Sequence, residues 1–206
     1  MYFIKTPFWL RLLYRSCIWR KSAKDRVLYL SFDDGPHPEA TPFVLEQLAS
    51  FNAKASFFCI GKNVQLHPGI YDAILVAGHV VGNHTQNHMN GWENNTANYI
   101  ADIGEATQSI SSNLFRPPYG RISFAQIKAL RSDPSLPQDI LMWDVLSGDF
   151  DTTITGDQCA QNVIQHAGPG SIIVFHDSAK AMDRLRIALP KVLLHFSNLG
   201  YQFKAV

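Results

Sequence analysis

Short apolar runs rich in β-branched and aromatic residues alternate along this chain with longer stretches of helical spacing. Val27-Leu28-Tyr29-Leu30-Ser31-Phe32 reads as a first strand, and after Pro42 a helix follows on Phe43, Leu45 and Leu48. Residues 55–60 predict a second strand; Gly61-Lys62-Asn63 then turns into a helix ending near Gly78. Residues 79–83 predict a short third strand that delivers His84, and a polar stretch with Trp92 leads into a helix around Tyr99 to Ser111. Four more strands, at 114–115, 140–145, 171–175 and 201–205, alternate with helices near 123–131, 157–167 and 180–198. About seven strands alternating with helices predict an α/β fold, a closed or nearly closed parallel (β/α) barrel short of the roughly 250 residues of an eight-fold one.

The consequence is positional. Asp33-Asp34, His84, Arg116, Asp149 and His176 all fall just after predicted strands. In a (β/α) barrel those ends converge on one face, where active sites are found. Core packing does not account for polar residues delivered to one rim by separate segments.

Asp33-Asp34 together with His84 and His88 is what a mononuclear hydrolytic metal site needs: one carboxylate and two imidazoles as ligands, and a spare carboxylate to take a proton. On a helical turn, the four-residue spacing of His84 and His88 puts both imidazoles on one face. Arg116-Pro117-Pro118-Tyr119-Gly120 is a stiff segment whose arginine can pair with a carboxylate. Residues 171–175 form a buried strand that empties into His176-Asp177, where His176 is well placed as a general acid and Asp177 serves equally well as a helix N-cap. Trp143 reads as core, Asp144 and Asp151 as solvated, and His67 and His79 as structural.

Composition narrows the classes. With 206 residues, 46% of them hydrophobic, the chain accommodates one sizeable core. A formal net charge of +1 and the absence of a basic block interleaved with aromatics exclude a nucleic-acid partner. Cys17, Cys59 and Cys159 are too scattered for a disulfide framework or a zinc finger. The first 26 residues stand apart as a leader in which Lys5, Arg11, Arg15 and Arg20 are mixed with Phe8, Trp9, Leu12, Leu13 and Trp19. Arg11 and Arg15 interrupt any signal-peptide core, so the expectation is a cytoplasmic protein or one peripheral to the membrane. The leader reads either as a segment packed on the domain through its aromatics or as a basic amphipathic stretch touching an anionic membrane.

In this order and spacing, Ser31–Pro36, His84–His88, Arg116–Tyr119, Asp149-Phe150 and Val174–Asp177 resemble the five motifs of the NodB-type polysaccharide deacetylases, carbohydrate esterase family four. Ala55-Ser56-Phe57-Phe58 and Gly78–His84 add to the resemblance, which covers about residues 27–205 and so makes 27–206 the catalytic domain. It implies a distorted (β/α) barrel that releases acetate from an N-acetylated amino sugar or glycan. It also implies that Asp34, His84 and His88 hold one divalent ion; zinc suits the donors, and cobalt or nickel can substitute. By the same resemblance Asp33 is the general base with Arg116 as its charge partner, the Tyr119 N–H an oxyanion donor, and His176 the general acid oriented by Asp149. Phe150 and Val174 would line the acetyl pocket. The family often has Trp and Leu at those two positions, so a reshaped pocket with intact chemistry is expected.

Two other readings use the same residues. One keeps the site but cleaves an O-acetyl ester or a cyclic amide. The other is a degenerate carbohydrate-binding module, which predicts loss of Asp33, a metal ligand or His176; all are present. Trp92, Glu93, Tyr119, Arg121 and residues 132–138 are expected to border the sugar groove. Oligomeric state has no signature in the sequence.

Overall fold

Both faces of the strand that begins at residue 27 are covered, as a parallel strand between helices and barrel interior requires. In the computed structural model, which describes residues 2–22 and 24–206, this strand lies at the centre of a sheet whose ladders are all parallel. In chain order come α1 (Phe8–Leu13), β1 (Val27–Asp33), α2 (Ala40–Ser50), β2 (Ser56–Cys59), α3 (Gly61–Leu66), α4 (Pro68–Val76), β3 (Val80–Asn83) and α5 (Thr96–Ala106). There follow β4 (Leu114–Phe115), α6 (Phe124–Ser132), β5 (Asp139–Ile140), β6 (Val145–Leu146), α7 (Gly156–His166), β7 (Ile172–His176), α8 (Met182–Asn198) and β8 (Gln202–Lys204). Reciprocal capping boxes, Ser123 with Gln126 and Thr155 with Gln158, start α6 and α7.

The sheet order is β5-β4-β3-β2-β1-β7-β6, with β8 pairing the first half of β1. Its two edge strands, β5 and β6, are consecutive in the chain. Ile140 and Val145 are five residues apart, so the edges lie within roughly 18 Å of each other. A twisted sheet whose edges are tied so closely must curl, and the result is the expected distorted parallel barrel.

The predicted strand at 140–145 is two strands. Between them the leader supplies the pairing: Ile18 N–H donates to Ile140 O (2.8 Å), and Met142 N–H donates to Ile18 O (2.8 Å). Farther along, Leu146 N–H reaches Ile4 O (2.8 Å) and Thr6 N–H reaches Asp144 O (2.9 Å). Asp144, read as solvated, is fully buried. It accepts from Lys5 Nζ (2.8 Å), Ser171 Oγ (2.6 Å) and Arg11, with Arg20 Nε at 3.4 Å. The helix predicted over 61–78 breaks at His67-Pro68, because proline disfavours a helical residue before it and cannot donate to the preceding turn.

Three apolar clusters form the core. Leu28, Leu30, Phe32, Phe57 and Phe175 meet the inner faces of α2, α7 and α8. Cys17 and Trp19 of the leader share a second cluster with Tyr99, Phe115 and Leu130. Phe58, Leu141 and Ile172 fill the barrel interior. His79 is buried beside Phe57, as a structural histidine should be. Burial, reinforced by Lys54, pushes its pKa down to about 4, so its neutral Nδ1 accepts from Ala55 N–H (3.2 Å).

Candidate active site

Strand periodicity places the first charged pair. Ser31 and Asp33 are two residues apart on β1, so both side chains point to the barrel interior. There they meet Arg116, delivered by the end of β4. Arg116 Nη1 donates to Asp33 Oδ1 (2.6 Å) and to Ser31 Oγ (2.8 Å). Its Nε and Nη2 reach the carbonyls of Leu141 (3.1 Å) and Met142 (3.2 Å), and the guanidinium lies 4.1 Å from the Phe58 ring centroid. Burial pushes the arginine's pKa down and Asp33 pulls it back, the net direction being downward. A fully buried guanidinium with all three nitrogens hydrogen-bonded holds Asp33 in one orientation.

Alternation alone would turn Asp34 away. Its φ of 81° swings the carboxylate back toward the cleft, in the left-handed region that Asp tolerates better than most residues. Asn63 Nδ2 holds the Asp34 carbonyl (2.7 Å), and Asp177 Oδ1 accepts from Gly35 N–H (3.1 Å). A Cβ on Gly35 would strike the Asp177 carboxylate, so only glycine fits. Asp177 is therefore a brace for this turn, with Thr41 Oγ1 donating to it (2.5 Å), and not a helix cap; α8 begins only at Met182. Burial, with Asp34 and Asp33 nearby, pushes the Asp177 pKa up to about 8 despite the Thr41 hydroxyl.

His84 and His88 do converge, though not on a helical turn. They lie on an irregular loop after β3 in which Thr85 and His88 take φ of 63° and 56°. The loop has its own braces. Asn83 Oδ1 accepts from Thr85 N–H (2.8 Å), and Asp102 on α5 accepts from the N–H groups of Gln86 (3.0 Å) and Asn87 (3.1 Å). These bonds, one local and two from α5, hold the loop out of helical geometry, and the sequence spacing gives no sign of Asp102's part. The imidazole centroids are 5.2 Å apart, with His84 Nε2 at 3.6 Å and His88 Nε2 at 3.1 Å from Asp34 Oδ1.

This trio suits a divalent cation. One donor atom from each residue lies within 4.8 Å of the others. Asp34 Oδ1 is buried and has no hydrogen bond among the described residues. His84 Nδ1 lies 2.7 Å from Arg116 O, which can only accept, so Nδ1 carries the proton and Nε2 presents its lone pair to the cluster. Burial pushes the His84 pKa down to about 4 against the pull of Asp33, keeping the ring neutral. Burial works against the Asp34 charge, yet the imidazoles of His88, His176 and His84 bring its pKa well below the usual carboxylate range.

Across the cleft β7 ends on His176. Asp149 Oδ1 faces His176 Nδ1 (2.7 Å), and Asp149 Oδ2 accepts from His176 N–H (2.7 Å). Buried Arg184 Nε donates to the Asp149 carbonyl (2.6 Å) and fixes the loop from behind. Burial disfavours a charged His176, but the Asp149 carboxylate outweighs it and raises the pKa to about 10. The Phe150 ring packs 5.3 Å from His176, and buried Val174 lies beside them in the cleft wall.

The cleft encloses about 630 Å³ and is lined by Asp33, Asp34, His84, His88, Tyr119, Phe150, Val174 and His176. Tyr119 sits in a turn at φ 60°, and its N–H has no acceptor among the described residues. Trp92 and Arg121 border the cleft as expected, and Glu93 pairs with Arg121 (3.5 Å). Residues 132–138 do not. They precede β5 at the opposite end of the barrel, and Leu136 packs into the leader's cluster. The leader takes their place, with Tyr2, Phe3, Thr6, Pro7, Leu10 and Tyr14 forming a wall that no motif announced.

Comparison with known proteins is consistent with this layout. Residues 20–134 match the family described as polysaccharide deacetylase. A Bacillus cereus protein named peptidoglycan-N-acetylglucosamine deacetylase is 31% identical over 91% of this chain and 90% of its own length. The Bacillus subtilis peptidoglycan-N-acetylmuramic acid deacetylase PdaC is 31% identical over 88% of this chain, which spans 38% of that longer protein. The crystal structure of the Bc1960 peptidoglycan N-acetylglucosamine deacetylase, solved with a hydroxamate, superposes with a TM-score of 0.83 at 30% identity, covering 98% of this chain and 95% of that one.

Proposed function

The chain belongs to the polysaccharide deacetylase family, and from that premise we propose that it is a metal-dependent hydrolase that removes the N-acetyl group from an amino sugar or glycan. One observation carries the reading. Two separately braced charge pairs, Asp33–Arg116 and Asp149–His176, flank a three-donor cluster in a single cleft.

Asp34, His84 and His88 hold the divalent ion, for which zinc is the first candidate by donor set and cobalt or nickel the substitutes. Such an ion supplies Lewis acidity, lowering the pKa of a water and polarising a carbonyl. Asp33, held in one orientation by Arg116, accepts the attacking water's proton on the oxygen that Arg116 leaves free. The unpaired Tyr119 N–H is free to donate to the acetamide oxygen as charge develops there, a contribution typically of about 3–4 kcal/mol. His176 carries its proton on Nε2, because Nδ1 is engaged by Asp149, and delivers it to the departing nitrogen. An amine leaves poorly unless protonated, so a histidine charged at neutral pH is matched to the step. Phe150 and Val174 enclose the acetyl methyl.

Release of acetate with a new free amine, from N-acetylglucosamine oligomers and peptidoglycan fragments, tests the proposal. The expected result is release that stops on chelation, returns with zinc or cobalt, and is absent in Asp33→Asn. Release from O-acetylated sugars alone would assign ester cleavage to the same residues. No release from any of these, by protein that retains one bound metal, would overturn the substrate class.

A further inference from the structure

The leader reaches the same cleft as the acid and the base, and what it presents there is carbon. Tyr2 OH donates to Asp151 Oδ2 (2.7 Å), Thr6 OH to the Trp143 carbonyl (2.8 Å) and Tyr14 OH to the Ile122 carbonyl (3.3 Å). Trp19 Nε1, behind them, donates to the Tyr14 carbonyl (3.0 Å). The remaining wall residues, Phe3, Pro7 and Leu10, have no polar side-chain atom. A sugar hydroxyl placed against Phe3, Pro7 and Leu10 would give up its water and find no side-chain partner there. A hydrocarbon would exchange water for apolar contact.

The wall is also fixed in place. The buried Asp144 carboxylate gathers Lys5, Arg11 and Arg20, and the leader backbone pairs with Ile140, Met142, Asp144 and Leu146. Its apolar character continues outward. Phe3 lines the cleft while 55% exposed, and α1, starting directly after Pro7, carries Phe8, Trp9, Leu12 and Leu13 exposed to solvent. The wall thus extends within the cleft as far as half-exposed Phe3, a surface suited to a hydrocarbon attached to the substrate.

We propose that the leader wall of Phe3, Pro7, Leu10 and Tyr14 is a subsite for a hydrocarbon group carried next to the N-acetylated sugar, making the substrate an amphiphilic amino sugar. The proposal rests on the deacetylase reading for the sugar and on the wall itself for the hydrocarbon.

Binding of methyl and octyl β-glycosides of N-acetylglucosamine to the metal-loaded full chain, by calorimetry below the micelle threshold, tests it, with the N-acetylglucosamine disaccharide in parallel. Each buried methylene is worth roughly a fourfold gain, so the octyl glycoside is expected to bind at least about tenfold more tightly than the methyl one. In Phe3→Ser, and separately in Leu10→Ser, that ratio should fall by about threefold or more. Phe3 is largely exposed, so its variant keeps the fold, which a melting curve verifies. No octyl advantage, an equal advantage for the disaccharide, or a ratio unchanged in both variants would overturn the subsite. Acetate release from the same ligands separates the two claims. An octyl advantage that the variants lose, without acetate release, would keep the subsite and remove the deacetylase. Release without any octyl advantage would do the reverse.

Discussion

Two regions meet in the cleft and are built on opposite plans. On the barrel rim, Asp33, Asp149 and His176 are each fixed by a short charge-assisted hydrogen bond, and the braces behind them, Ser31, Arg184 and Asp177, are buried and engaged in turn. On the leader wall the polar atoms turn inward to the protein, and the cleft receives ring faces and aliphatic carbon. The rim orients protons and charge, which requires sub-ångström placement from rigid strands. The wall contributes area, which tolerates a segment with only a six-residue helix so long as it is tied down. Aromatic packing joins the two. Tyr2 of the leader packs 5.0 Å from Phe150, which packs 5.3 Å from His176.

The comparison breaks most visibly at Asp33. Asp33→Asn keeps the shape and one hydrogen bond to Arg116 but removes the base, and kcat/KM is expected to fall by about 10² to 10⁴. A thermal melt and metal content matching the parent protein would place the loss in proton transfer. Activity within a few-fold of the parent would remove Asp33 from the role.

Arg116→Met tests how deeply the rim is committed to its braces. Breaking a fully buried pair by removing one partner costs about 3–5 kcal/mol, and a melting curve should drop by roughly 6–20 °C for a domain of this size. A drop of only a degree or two would mean that the pair orients Asp33 without supporting the fold.

Asp149→Asn sharpens the electrostatic side. The folded-state pKa of His176 is raised from 6.5 to about 10, so its stabilising protonation is fully present below about pH 6.5 and is lost as pH rises through about 10. Removing the Asp149 charge lowers that pKa. The alkaline limb of the kcat/KM profile is then expected to move toward neutral pH. A limb that stays in place would show that His176 does not depend on Asp149 for its charge.

The smallest effect is expected at the leader. Asp144→Asn removes the carboxylate shared by Lys5, Arg11 and Arg20, whose side chains are 35%, 24% and 33% exposed, and solvent screening limits the loss to about 1–3 kcal/mol. Limited proteolysis should cut within residues 2–22 faster, while amide exchange of β1 and β7 stays protected. Equal loosening of both would mean that the leader is inseparable from the barrel.

Much of this architecture was legible in the chain. Short apolar runs and helical spacing locate β1, β2, β3, β4, β7 and β8, and the rule that strand ends share a face collects Asp33, Asp34, His84, Arg116, Asp149 and His176. Those signals are local, so they can be read from neighbours in sequence. The errors came where a distant segment decided. Ile18 pairs with Ile140 and Met142 and splits one predicted strand into β5 and β6, and leader cations turn Asp144 from a solvated residue into a buried hub. Asp102 bends the histidine loop away from the helix its spacing predicted.

What the sequence by itself determined was the alternating α/β pattern and the residue types that carry metal and proton chemistry, because periodicity and donor identity are properties of the covalent chain. The tertiary structure alone decided how both carboxylates of Asp33-Asp34 face one cleft, which carbonyl sets the His84 tautomer, and that residues 2–22 wall the site. Each of these depends on partners up to 149 residues apart, brought together only when the barrel closes.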